Sequence, residues 1–95
     1  MKKISELMLE GSKGRKQCFG KTHEGDQRDP KKVDAFGAVG LALMQDAATL
    51  PVLFPYVRRA QDDFIAQHGF GFARANDEKE WPVSKIAAEL ALIGH

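Results

Sequence analysis

The chain has 95 residues, of which 43% are hydrophobic and 28% charged, with 14 Lys and Arg against 13 Asp and Glu. That length holds one domain, residues 1–95, with one modest core, and is too short for two. A single cysteine excludes an internal disulfide, and a buried catalytic cleft would take up much of so small a core.

Charge is spread unevenly. Residues 1–33 carry nine Lys/Arg against five Asp/Glu, and residues 34–95 carry five against eight. The basic third is interleaved with Glu24, Asp26 and Asp29, which suits a solvated surface. The lone Cys18 fits a reducing compartment. Glu6, Glu10 and Lys13 interrupt the apolar stretch that a secretory leader needs. The longest uncharged apolar run, Ala35 to Met44, is half of the about 20 residues that span a bilayer. The expectation is a soluble cytoplasmic protein with no membrane segment.

In chain order, the first helix is predicted over Lys3–Ser12, with Ile4, Leu7, Met8 and Gly11 on one face. Gly11 and Gly14 weaken its end. Lys16–Arg28 is polar and long for a structureless loop, so a short extended pair or an extra helical turn is expected there.

Asp29 and Pro30 suit the N-cap and first position of a second helix, continuing through Val33, Phe36, Val39, Leu41, Leu43, Met44 and Ala47. Every residue from Ala35 to Met44 is small or apolar, so this helix is expected at the centre of the fold. Gly37 and Gly40 within it suggest close approach by a neighbouring backbone.

Leu50-Pro51 should end that segment, leaving PVLFPY as a connector. A third helix is expected over Tyr56–Gln67, with Val57, Ala60, Phe64 and Ile65 as its stripe and Gly69 as its stop. Phe70 and Phe72 alternate with Gly69 and Gly71, which suits a short extended segment. A fourth helix is expected over Pro82–Ile93, with Val83, Ile86, Ala87, Leu90 and Ile93 on one face. The predicted fold is mainly α: three or four helices around the glycine-containing 33–47 helix, with a short β-hairpin.

No constellation commits the chain to a chemistry. His23, Glu24 and Asp26 are weak metal donors on a polar loop. Lys16 and Lys21 would favour a Cys18 thiolate, but sequence supplies neither a base nor an oxyanion site. Asp62-Asp63 and Glu78-Lys79-Glu80 supply carboxylates, but adjacent residues on a helix point apart and no acid–base pair is assigned. The segment from Trp81 to His95 resembles the first helix of a helix-turn-helix, but the 95 residues hold no recognition helix after it, so a DNA reader of this type is not expected. No catalytic, cofactor-binding or metal residue is assigned, and no cofactor is expected.

Three patches together resemble a loosely defined family of small uncharacterised bacterial and bacteriophage proteins. The first is a helix, Gly11, then Arg15, Gln17 and Gly20. The second is the small-residue helix with Gly37 and Ala38, where Ala35 stands at a position often held by cysteine. The third is Ala75-Asn76-Asp77, Trp81 and a closing helix with Ile86-Ala87, where Pro82 stands in place of the usual Ser or Thr. The resemblance implies a helical fold and a phage or prophage setting. It carries no known activity.

The functional expectation is a non-enzymatic accessory protein that docks on a host or phage protein. Its candidate contact residues are Tyr56, Phe70, Phe72, Asn76, Asp77 and Trp81, since aromatics anchor interfaces. The alternative is an accessory protein of nucleic acid, using Lys13, Arg15, Lys16, Lys21, Lys31 and Lys32. Self-association into a homo-oligomer would be a natural source of stability for so small a core.

Overall fold

The computed structural model describes residues 2–19, 23–26, 28–46 and 49–95. Helix α1 is Ile4–Ser12, close to the predicted span. Ile4, Leu7, Met8 and Gly11 are buried on one face, at the spacing the sequence indicates. Gly11 has a larger role than the end of a helix. A Cβ built on it would lie 1.7 Å from the Ala38 carbonyl oxygen. The α1 backbone therefore rests directly on the next helix, and only glycine fits at that point.

Three short strands, β1 (Lys16–Gln17), β2 (His23–Asp26) and β3 (Asp29–Val33), form a small sheet in the order β1-β3-β2. β1 runs parallel to β3, with Lys16 opposite Lys32 and Gln17 opposite Val33. β2 runs antiparallel to β3, with His23 opposite Val33 and Glu24 opposite Lys32. Here the helix prediction is corrected, because Asp29 and Pro30 begin a strand. The Asp29 side chain takes a hydrogen bond from Arg15 Nη2 at 2.9 Å, and the Pro30 carbonyl takes one from Arg15 Nε at 3.0 Å. The register shift between Glu24 and Gly25 falls where Pro30 has no N–H to donate.

The N-cap belongs to Asp34, whose carboxylate accepts the Gly37 N–H at 2.7 Å. Helix α2, Ala35–Leu43, buries Ala35 and the run from Gly37 to Gly40. Its C-terminal end lies at the surface, with Leu41–Leu43 half-buried, so the helix is not enclosed along its length. Met44 closes it in the left-handed region at φ 57°. The predicted end at Ala47 lies outside the described residues.

The expected connector contains one helical turn, α3 (Leu50–Leu53), anchored by a fully buried Leu50. Helix α4, Pro55–His68, matches the predicted third helix and stops at Gly69, φ 82°. Val57, Ala60 and Phe64 are buried, while Ile65 lies outside the buried stripe. The predicted extended segment after Gly69 is corrected to helix α5, Phe72–Asp77. Phe72, Ala75 and Asn76 are buried at i, i+3 and i+4, a helical spacing that the alternating glycines mask. Gln61 Oε1 accepts the Phe72 N–H at 2.9 Å and so holds the first turn. Helix α6, Val83–Leu92, buries Val83, Ile86, Ala87 and Leu90 as predicted.

The domain is thus mainly α with a small sheet, and it has more helical elements than the three or four expected. One hydrophobic core runs from Ile4 to Leu90. Among the described residues, no helix is long and apolar enough to cross a membrane.

The α1–α2 contact is directly testable. Gly11→Ala must push two backbones apart and is expected to cost about 3 kcal/mol or more in urea denaturation. Gly14→Ala, at φ 73° in open space, is expected to cost only about 1–2 kcal/mol of backbone strain.

Candidate functional site

The aromatic segment that the sequence singles out is largely internal. Phe72 and Asn76 are fully buried and offer no surface to a partner, which removes them from that role. Phe72 stacks against Phe36 at 4.6 Å and meets Phe64 edge-on at 6.1 Å. Asn76 Oδ1 accepts the Ala35 N–H at 2.8 Å, and its Nδ2 donates to the Trp81 carbonyl at 2.9 Å. Gln17 Nε2 donates to the same carbonyl at 2.9 Å, and Gln17 Oε1 accepts the Val83 N–H at 2.9 Å. Two side chains therefore join β1, α2, α5 and α6 around one carbonyl.

Phe70 and Trp81 do come together, edge to face at 5.4 Å. Lys79 Nζ sits 4.5 Å from the Phe70 ring centroid and Lys85 Nζ 4.1 Å from that of Trp81. Cations of the chain itself thus occupy faces of both rings. Tyr56 pairs with Phe54 at 5.6 Å, near the start of α4, about 20 Å along that helix from Phe70.

A titratable cluster emerges at the end of the sheet that no local motif reveals. Asp34 is 5% exposed. Burial raises its pKa to about 6 and the Asp77 carboxylate pushes the same way, while the Gly37 N–H and a positive His23 oppose. Strand register explains the gathering. His23 lies opposite Val33 on one side of β3, and the Cys18 N–H donates to the Val33 carbonyl on the other at 3.2 Å. Burial, with the Asp34 and Glu24 carboxylates, pushes the Cys18 thiol up. That environment disfavours the thiolate which the flanking lysines suggest in the sequence. Among the described residues, no group of three His, Cys, Asp or Glu side chains is placed to hold a metal ion.

The basic residues scatter. Lys13 is exposed at the end of α1, and Lys31 is exposed on β3. Arg15 is tied to Asp29 and Pro30. Lys16 and Lys32 are register neighbours, and Lys32 faces Glu24 at 3.8 Å. Lys21 lies outside the described residues. Beside Lys16 is a small open cleft of about 170 Å³, lined by Ser12, Arg15, Lys16, Gln17, Val33, Pro82, Val83 and Ser84.

Large exposed apolar side chains lie elsewhere, at Met44 after α2, at Val52 and Leu53 of α3, and at Leu92, 80% exposed, at the end of α6. Met44 is 89% exposed, Val52 82% and Leu53 55%. The Thr49 N–H and hydroxyl both donate to the Asp46 carbonyl, at 3.0 and 2.7 Å. The sequence reading missed this surface by assigning Met44 to the core helix. The available signal was PVLFPY, where Pro51 and Pro55 limit a continuous apolar run to one helical turn, too short to bury all its side chains.

Asp34 yields a signed pH dependence. The folded chain holds this proton up to about pH 6, and the unfolded chain releases it near the ordinary 3.8. Between those values the folded state binds more protons, so stability falls as pH rises. Asp34→Asn keeps a good N-cap and removes the charge. The stability of the native chain relative to this variant is expected to drop by on the order of 2–3 kcal/mol from pH 4 to pH 7, read from urea midpoints. A pH-independent difference would show that the Asp34 carboxyl is not desolvated.

Compared with protein families, characterised proteins and solved structures, the chain matches none.

Proposed function

We propose that this chain acts by binding rather than by catalysis, and that it docks on a protein partner through the corner between α2 and α3. The observation that carries this reading is the exposure of Met44, Val52 and Leu53, three large apolar side chains within ten residues of sequence. Large apolar side chains exposed together mark interaction surfaces, whereas singly scattered ones need no explanation. Methionine suits such a surface because its unbranched side chain adapts to a partner. The sequence patches that resemble small phage proteins direct the search to host and phage lysates.

A second reading, contact with nucleic acid, rests on Lys16 and Lys32 lying side by side across β1 and β3, with Lys13 and Lys31 exposed nearby in sequence. Two or three phosphate contacts from such a row would give a log–log salt slope of about −2 to −3. Absence of binding at low salt, or binding insensitive to salt, would remove it.

The docking reading is tested with the double variant Val52→Glu, Leu53→Glu. Both side chains are exposed, so the melting temperature is expected to stay within a few degrees. Affinity for the captured partner is expected to fall at least tenfold, because two apolar anchors become charges in a desolvated contact. Undiminished affinity would place the contact elsewhere on the chain.

A further inference from the structure

We infer that the cleft between α1, β1 and the start of α6 is a binding site for a small organic phosphate monoester. Its lining carries Arg15, ion-paired to Asp29 at 2.9 Å, and Lys16, which forms no ion pair among the described residues, and no carboxylate lines it. Lys16 makes the lining locally positive, which favours an anion.

The donors are also arranged for it. Arg15 is immobilised by hydrogen bonds to Pro30, Lys13 and Asp29, which use three of its five N–H groups and leave two. Lys16 forms no ion pair among the described residues, so its three donors remain available. Ser84 adds a hydroxyl. The acceptor that would repel an anion is already engaged, because Gln17 Oε1 takes the Val83 N–H. Donors spread over an ammonium, a guanidinium and a hydroxyl match the several oxygens of a phosphate better than the two of a planar carboxylate.

The cleft volume, about 170 Å³, corresponds to roughly five or six waters. That exceeds what the oxyanion alone fills. The remaining lining mixes the polar Ser12 and Gln17 with Val33, Pro82 and Val83, and that apolar side suits a small carbon group carrying the phosphate. This site is separate from the docking corner and does not depend on it.

The probes are phenyl phosphate, inorganic phosphate and benzoate, each titrated at constant ionic strength set with sodium chloride. Trp81, the single tryptophan, reports on the site through its carbonyl, which is bonded to Gln17. Backbone amide shifts of Lys16 and Ser84 give a second readout. Phenyl phosphate is expected to saturate in the millimolar range or below, with inorganic phosphate weaker. Lys16→Gln is expected to weaken phenyl phosphate about fivefold and Ser84→Ala two- to threefold, while Lys31→Gln leaves it unchanged. Both lining side chains are exposed, so these variants keep the fold, which the unchanged remainder of the amide spectrum verifies. Linear, non-saturating shifts, equal binding by Lys16→Gln, or benzoate binding as tightly as phenyl phosphate would each overturn the assignment.

Discussion

The contact between Gly11 and the Ala38 carbonyl is the constraint on which the rest of the domain depends. Two helices that touch through backbone bring their neighbouring side chains to close range. Leu7 and Met8 from α1 and Ala38 and Val39 from α2 are consequently sealed in one core. In so small a chain, close packing has to replace what core volume would otherwise supply. A methyl group at Gly11 would open this seam, and no flexible side chain lies opposite that could move aside.

The second joint is polar. The Trp81 carbonyl receives Asn76 and Gln17, so both of its lone pairs are used. Asn76 also satisfies the Ala35 N–H, which the first turn of α2 leaves without a helical partner. Buried polar groups stabilise only when their partners are complete, and here the chain from Val83 through Gln17, Trp81 and Asn76 to Ala35 has no gap. Glu80 sits at φ 54°, a strained conformation for a residue with a Cβ. The anchored carbonyl one residue later helps hold that turn in place.

The elements legible in the sequence were those with a clean helical stripe: α1, α4 and α6. α5 was hidden because Gly69 and Gly71 space two phenylalanines like a strand, while the helical pattern of Phe72, Ala75 and Asn76 is only six residues long. β3 was hidden by a competition between two caps. Asp29-Pro30 is the better local helix start, but Arg15, fourteen residues away from Asp29, takes that carboxylate, and Asp34 begins the helix instead. The Asn76, Asp77 and Trp81 patch was legible as important, and its physical role is largely internal for Asn76. The sheet-end cluster and the cleft were not legible, because strand register and helix docking bring their residues together from distant parts of the chain.

Met44 bears on what remains at the surface. A left-handed residue closing a helix is usually glycine, and a side chain there costs about 1–2 kcal/mol. Methionine at that position is 89% exposed, so burial in the core returns almost none of this cost. Val52 and Leu53 are exposed as well, and they too contribute little to the core. A strained and exposed methionine is poorly explained by the stability of the isolated domain. Strain held against stability is a reason to look for function at that place, and a partner that buries Met44, Val52 and Leu53 together would offset both costs.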